Sequence, residues 1–195
     1  MVMQAQEQRH YSIEEYFESE ISSEERHAYL DGEIVLMPGG TPNHNQLTGN
    51  LYAALNFTLK CQPYRVYFTD QRLWIPSMRI YTYPDVMVMA EPIAFAEERR
   101  DTLINPLLIV EILSKSTRSY DKDEKFAAYR TIPSFQEYVL VDQYTPHVEQ
   151  YSKTETGKWL FSETDGEATL QFATIAFEIA LPDLYDKVNF SAEAE

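Results

Sequence analysis

Apolar positions along this chain switch between a helical period and a strand period, and the switches outline its elements. Residues 12–20 predict a short acidic helix, because Ser12 followed three residues later by Glu15 is a capping-box pattern. Residues 29–37 predict a hairpin arm, with Asp31-Gly32 as the turn and Ile34 and Leu36 alternating with Val35. Pro38-Gly39-Gly40-Thr41-Pro42 is a break. From Asn43 to about Lys60, the residues Leu47, Leu51, Ala54, Leu55 and Leu59 recur at helical spacing and predict a long helix.

Strands dominate the next stretch. Residues 64–69, 72–76 and 84–90 are rich in β-branched and aromatic side chains. Residues 107–113 are nearly continuously apolar, the pattern of a strand covered on both faces. Residues 121–129 predict a helix, with Asp121 and Glu124 as an N-terminal capping pair and Pro133 beyond its end. Residues 137–141 predict a further strand, and 147–151 with 158–162 a closing hairpin around Thr156-Gly157. Weaker strand signals sit at 169–170 and from 175 onward. No repeat or low-complexity linker interrupts this order, so the chain reads as a single α/β domain over 1–195. Its core spans about 40–145, an N-terminal helix and hairpin about 11–38, and a C-terminal hairpin and tail about 146–195.

Composition narrows the class. With 195 residues, 44% of them hydrophobic, the chain can bury a core without disulfide or metal staples. Cys61 is the only cysteine, which excludes an intrachain disulfide and fits a reducing, cytoplasmic setting. No apolar run approaches a membrane span, and the polar segment 1–10 lacks the apolar centre of a signal peptide. The net charge of −15 is the wrong sign for a simple nucleic-acid binder, yet residues 99–130 carry seven basic against five acidic residues. That pattern fits either a solvated acidic surface or a local basic lip on an acidic body.

Two acids stand where folding alone would not put them. Glu111 interrupts Leu-Leu-Ile-Val-Glu-Ile-Leu, and a carboxylate there wants a cation beside it, whether arginine, lysine or a metal. Asp85 opens the strand Pro-Asp-Val-Met-Val-Met, although Pro-Asp is also a turn dipeptide. Carboxylates on neighbouring strands can share one end of a sheet, the arrangement that holds Mg²⁺ for a phosphate-bearing substrate. Asp121 and Lys125, at i and i+4, share a helix face; they form either an exposed salt bridge or a lysine that reaches the two acids. Tyr129, one turn further, reads as packing. His44 at the start of the long helix reads as a cap or as a contact to phosphate or carboxylate. Glu33 in the hairpin turn reads as solvent-facing or as a supplementary metal ligand. His10, His27 and His147 read as surface or structural. The chain has no glycine-rich phosphate loop, no Gly-x-Ser-x-Gly elbow and no zinc spacing, which disfavours an NTPase, a serine hydrolase and a zinc enzyme.

Several segments in order resemble one family: Tyr-Leu-Asp-Gly-Glu-Ile-Val (29–35), Gly-Gly-Thr-Pro-Asn-His-Asn (39–45), Tyr-Pro-Asp-Val-Met-Val (83–88), and Asn-Pro-Leu-Leu-Ile-Val-Glu-Ile-Leu-Ser-Lys-Ser-Thr (105–117). The likeness continues through Tyr-Asp-Lys-Asp-Glu-Lys-Phe-Ala-Ala-Tyr-Arg (120–130), Ile-Pro-Ser-Phe-Gln-Glu-Tyr-Val-Leu-Val (132–141) and Leu-Pro-Asp-Leu-Tyr (181–185). On these segments the chain resembles the Uma-type endonuclease family, a branch of the PD-(D/E)XK restriction-endonuclease-like superfamily. The resemblance implies a mixed β-sheet flanked by helices, with the site at one end. It matches Asp85 to the motif's first acid and Glu111 to its second. The motif's lysine would stand two residues after Glu111, where this chain has Leu113; Lys125 on the following helix is the candidate replacement.

The resulting expectation is a metal-dependent endonuclease, with DNA the expected nucleic acid. Asp85 and Glu111, helped by Glu33, would hold one or two Mg²⁺ or Mn²⁺ ions, and Lys125 would orient the attacking water, with His44 and Asp121 in support. Lys115, Arg118 and Lys122 would contact flanking phosphates, and a homodimer would suit cleavage of both strands. The rival readings are a catalytically silent interaction module on the same fold, or a hydrolase of another phosphate ester.

Overall fold

A computed structural model describes residues 9–37 and 39–191. Pro38 of the break, most of the polar N-terminal segment and the end of the tail lie outside the described residues.

The capping box forms as the sequence predicts. Ser12 Oγ accepts from the Glu15 N–H and the Glu15 carboxylate accepts from the Ser12 N–H, starting helix α1 (Ile13–Ser22). The hairpin pairs β1 (His27–Leu30) with β2 (Glu33–Leu36), two residues earlier than expected at its first arm. Its Asp31-Gly32 turn has positive φ at both positions, 44° and 107°, as a tight hairpin turn requires. The hairpin is not a separate appendage. β1 also pairs with β5 (Ile80–Thr82), which joins β4 (Arg72–Ile75) and β7 (Thr102–Leu103) in a five-stranded sheet ordered β2-β1-β5-β4-β7. Tyr16 of α1 seals it against Tyr29 and Tyr81, all three buried.

The second sheet carries the site. Its order is β11-β10-β9-β8-β6-β3, with β3 Tyr64–Phe68, β6 Val86–Ala90, β8 Pro106–Leu113, β9 Glu137–Asp142, β10 His147–Lys153 and β11 Trp159–Asp165. β8 and β9 run parallel and the remaining neighbours antiparallel, so the sheet is mixed. Strand alternation divides its side chains cleanly. Val86, Val88, Leu108, Val110, Ile112, Val139 and Val141 face one way, against Leu47, Leu51 and Leu55 of α2 (Pro42–Thr58). Met87, Met89, Ile109, Leu113, Tyr138 and Leu140 face the other, against Phe126 and Tyr129 and against Leu73 and Ile75 of the five-stranded sheet. Filling both faces is why β8 reads as one apolar run.

Two expectations need correction. The helix placed at 121–129 begins earlier: Arg118–Tyr120, Asp121–Lys125 and Phe126–Tyr129 follow one another as a single helix, α3, whose middle piece is a π-helical turn. Asp121 therefore lies inside the helix and caps nothing. The start is held by Ser114, whose Oγ accepts from the Thr117 N–H. The C-terminal segment also does more than trail. β12 (Thr169–Gln171) pairs with β13 (Glu178–Ala180), and Leu170, Phe172, Ile175, Phe177 and Ile179 pack into the same cluster as α2, followed by the short helix α4 (Leu181–Leu184). Fully buried Glu137 ties this segment down, accepting from the backbone N–H groups of Ala173 and Thr174 and from the Thr174 hydroxyl.

Candidate active site

The two sheet acids meet because of register. Val86 pairs with Val110, so one further step along each strand brings Asp85 beside Glu111. The Asp85 N–H lies 3.4 Å from Glu111 Oε2, and Asp85 Oδ2 accepts from the Ile112 N–H at 2.8 Å. Asp85 stands just before the paired part of β6, at the end of the sheet where that strand begins. Glu111 has the same facing as Ile109 and Leu113, toward α3.

That helix supplies the cation. Lys125 Nζ lies 3.0 Å from Glu111 Oε1 and 2.9 Å from Asp121 Oδ1. One turn on, the Tyr129 hydroxyl donates to the same Glu111 oxygen at 2.7 Å. From the opposite face, the first turn of α2 presents His44, whose Nε2 is 3.1 Å from Asp85 Oδ2. His44 is held by its own cap: Thr41 Oγ1 accepts from the His44 N–H, and the Thr41 hydroxyl donates to Gln143 Oε1. Gln143, fully buried, donates in turn to the Leu113 carbonyl at the end of β8. Gly40 is required here, since a Cβ on it would stand 2.8 Å from the His44 ring.

Asp85, Glu111, Asp121, Lys125, His44, Thr41 and Gln143 line a cleft of about 290 Å³, with Ser114, Lys115, Thr117 and Tyr144 beside them and Tyr129 behind Glu111. Burial sets its electrostatics. Glu111, 3% exposed, is pushed up to about 8 by burial and by Asp85 and Asp121, against the pull of Lys125. Burial also works to raise Asp85, but the His44 hydrogen bond and charge, Lys125 and the Ile112 N–H bring it below its usual range. Lys125 is desolvated, yet Glu111, Asp121 and Asp85 hold its ammonium well above the ordinary value. Burial lowers His44, and Asp85 more than offsets this.

The donor set fits a divalent cation. Asp85 and Glu111 each have one oxygen engaged by strong donors, while Asp85 Oδ1 takes no hydrogen bond among the described residues. Burial and the neighbouring acids keep a proton on Glu111 at neutral pH, and a hard cation with oxygen ligands would take that proton's place. Asp121 Oδ1 is buried with no hydrogen-bond partner: the Lys125 ammonium is close but not aligned for one.

Asp85, Glu111, Lys125, His44 and Asp121 are thus brought together, and Lys115 lines the same cleft. Glu33 is not. It opens β2 beside the hairpin turn, opposite Leu30, whereas the hairpin reaches the cleft through Met37, about 13 Å further along an extended strand. Arg118 and Lys122 are half-buried and already paired, with Asp142 and Glu149. Tyr129, which the sequence reads as packing, and Thr41 and Gln143, which it does not single out, are further contacts of this cluster. Tyr129 alone carried a signal, its place one turn after Lys125 on the same helix face. A second polar group, His147, Glu149 and Glu163, lies on the β10–β11 hairpin with ligand-type atoms within 4.8 Å of one another; Lys122 already meets Glu149 there. Among the described residues no helix is long and apolar enough to cross a membrane.

Comparisons with known proteins agree with the fold. The "Uncharacterized protein sll1609" of Synechocystis sp. (strain ATCC 27184 / PCC 6803 / Kazusa) is 41% identical over 160 residues, 82% of this chain and 90% of that protein. The "Uncharacterized protein slr1290" of the same organism is 32% identical over 181 residues, 92% of this chain and 93% of that one. Among solved structures, a "putative nuclease belonging to DUF820" from Anabaena variabilis ATCC 29413 superposes with a TM-score of 0.73 at 19% identity, covering 90% of this chain and 98% of its own. The family model Uma2, described as "Putative restriction endonuclease", matches residues 13–182. Ordered motifs, mixed sheet and family match coincide over nearly the whole chain, which belongs to the Uma2 family.

Proposed function

We propose that the protein is a divalent-metal-dependent nuclease that hydrolyses phosphodiester bonds, with DNA as substrate and Mg²⁺ or Mn²⁺ as cofactor. The observation that carries this reading is the meeting of Asp85, Glu111 and Lys125 at one end of the sheet, within a cleft open to a ligand. Asp85 and Glu111 would hold the cation. When bound, it supplies a water of lowered pKa and positive charge for the phosphoryl oxygens.

The chain's own residues do the rest. His44 and the Ile112 N–H fix Asp85 through Oδ2 and leave Oδ1 without a hydrogen bond among the described residues. Tyr129 fixes Glu111 through Oε1, so both carboxylates are held before any ligand arrives, which lowers the cost of organising them. The Lys125 ammonium is kept charged by its acidic neighbours, and from there it can orient the attacking water and meet charge building on the phosphate. Lys115, exposed at the rim over the Tyr144 ring, is available to a flanking phosphate.

Cleavage of labelled single-stranded DNA, duplex DNA and RNA, with Mg²⁺, Mn²⁺ or EDTA, tests the proposal. Metal-dependent cleavage of DNA that is lost in Asp85→Asn supports it. Cleavage that persists in EDTA, or that prefers RNA, contradicts the metal or the substrate respectively.

A further inference from the structure

The proposed reaction gives Asp121 no task beyond helping to keep the Lys125 ammonium charged, yet its carboxylate is buried at the cleft. Its side chain is 3% exposed, and among the described residues its buried Oδ1 has no hydrogen-bond partner. Among the described residues its one charged partner is Lys125, 2.9 Å from Oδ1 and one helical turn along. A buried carboxylate held by one ion pair with no aligned hydrogen bond is costly, so folding stability is a weak reason to keep it.

The route by which the lysine arrives supplies a stronger one. The position two residues beyond Glu111 is Leu113, which is buried in the apolar cluster on that face. The ammonium therefore comes from α3 on a long side chain, and it lies between Glu111 and Asp121, 3.0 Å from one and 2.9 Å from the other. With a divalent cation bound, Glu111 would give its charge to the metal, and the ammonium would be repelled from that seat. Asp121 shares the helix with Lys125, so its charge stays with the lysine. The π-helical turn Asp121–Lys125 carries both residues, and such turns recur at functional sites.

We infer that Asp121 is a positioning residue: it gives the Lys125 ammonium a second seat, so that Glu111 can pass from lysine to metal while the ammonium remains beside the reacting phosphate. The inference rests on the metal-dependent reading of this site and goes beyond it by explaining how the lysine and the metal share Glu111.

Calorimetric titration with Mn²⁺ tests it without any cleavage assay. Five proteins are compared: the unsubstituted chain, Asp121→Asn, Asp121→Glu, Lys125→Met and the Asp121→Asn/Lys125→Met double variant, each first checked for folding by thermal melting. Asp121→Asn is expected to weaken Mn²⁺ binding by about fivefold or more when Lys125 is present, and by less than about twofold in the Lys125→Met background. Asp121→Glu, which keeps the charge, should hold close to the unsubstituted affinity. Equal losses in both backgrounds would make Asp121 a direct partner of the metal and overturn the inference, as would no loss in either. Absence of Mn²⁺ binding by the unsubstituted chain would overturn the metal reading and this inference with it. Should Lys125→Met not fold, Lys125→Gln takes its place in the cycle.

Discussion

Lys125 Nζ lies 3.0 Å from Glu111 Oε1, a contact between a helix and the centre of the sheet that closes the candidate site. Removing the ammonium leaves Glu111 and Asp121 buried without a cation. Breaking a buried pair costs about 3–5 kcal/mol when the partner stays charged. Glu111 escapes part of that cost by taking up a proton, so Lys125→Met should destabilise less at pH 5 than at pH 8. Urea unfolding at the two pH values measures the difference.

Stability of the metal-free protein should fall as pH rises from about 5 to about 8. Glu111 is held near 8 in the fold against an ordinary 4.5, so between those values the folded chain binds a proton that the unfolded chain does not. The stabilising contribution is complete below 4.5 and is lost as pH passes 8. His44, raised above its ordinary 6.5, acts in the same direction from that pH upward. Glu111→Gln should flatten the profile; an unchanged slope would mean that Glu111 does not titrate there.

Tyr129→Phe removes one hydroxyl from the fully buried contact with Glu111. Loss of a partner that orients a ligand typically weakens metal affinity or activity by about 10–100-fold. The fold should lose about 1–3 kcal/mol, the cost of depriving a buried acceptor of a donor. Mn²⁺ titration and urea unfolding of the same variant read the two effects separately.

Glu137 offers the contrasting case of a buried acid with a structural role. Its oxygens accept from Gln150, Ala173 and Thr174, with no cation among those contacts. Glu137→Ala strands those donors and should cost about 3 kcal/mol or more, at about 1–3 kcal/mol for each buried group left unpaired. Metal affinity of the protein that remains folded should be unchanged.

Of the cations expected to touch nucleic acid, Lys115 should matter most. Arg118 and Lys122 already have Asp142 and Glu149 as partners, whereas Lys115 has no ion pair among the described residues. Lys115→Ala should weaken DNA binding at low salt and reduce the slope of log affinity against log salt by about 0.9, the loss of one phosphate contact. Arg118→Ala and Lys122→Ala should change that slope less. Fluorescence anisotropy with a labelled duplex, over a salt series in Ca²⁺, gives all three slopes.

The sequence made Glu111 legible because it breaks an apolar run, where a carboxylate needs a reason; Asp85, at the opening of its strand, became legible only beside Glu111 and through the ordered family motifs. Lys125 was legible through its i, i+4 relation to Asp121. Strands β8 and β9 and helix α2 followed directly from periodicity. The five-stranded sheet was harder to see: β5 and β7 are only three and two residues long, and their partners are distant in sequence. Glu33 was misplaced for the same reason, since a hairpin's turn chemistry does not say which of its ends meets the cleft. The chain from Gln143 through Thr41 to His44 depends on side chains that only the fold brings together.

Nicking of supercoiled plasmid at low salt tests the central claim most directly, comparing the unsubstituted protein with Asp85→Ala and Glu111→Gln across Mg²⁺ and Mn²⁺ concentrations. Metal-dependent nicked circles are predicted from the unsubstituted protein, and none from either variant while both remain folded. Equal nicking by Asp85→Ala, or no nicking by any of the three at any metal concentration, would contradict a metal-dependent nuclease built on these two acids.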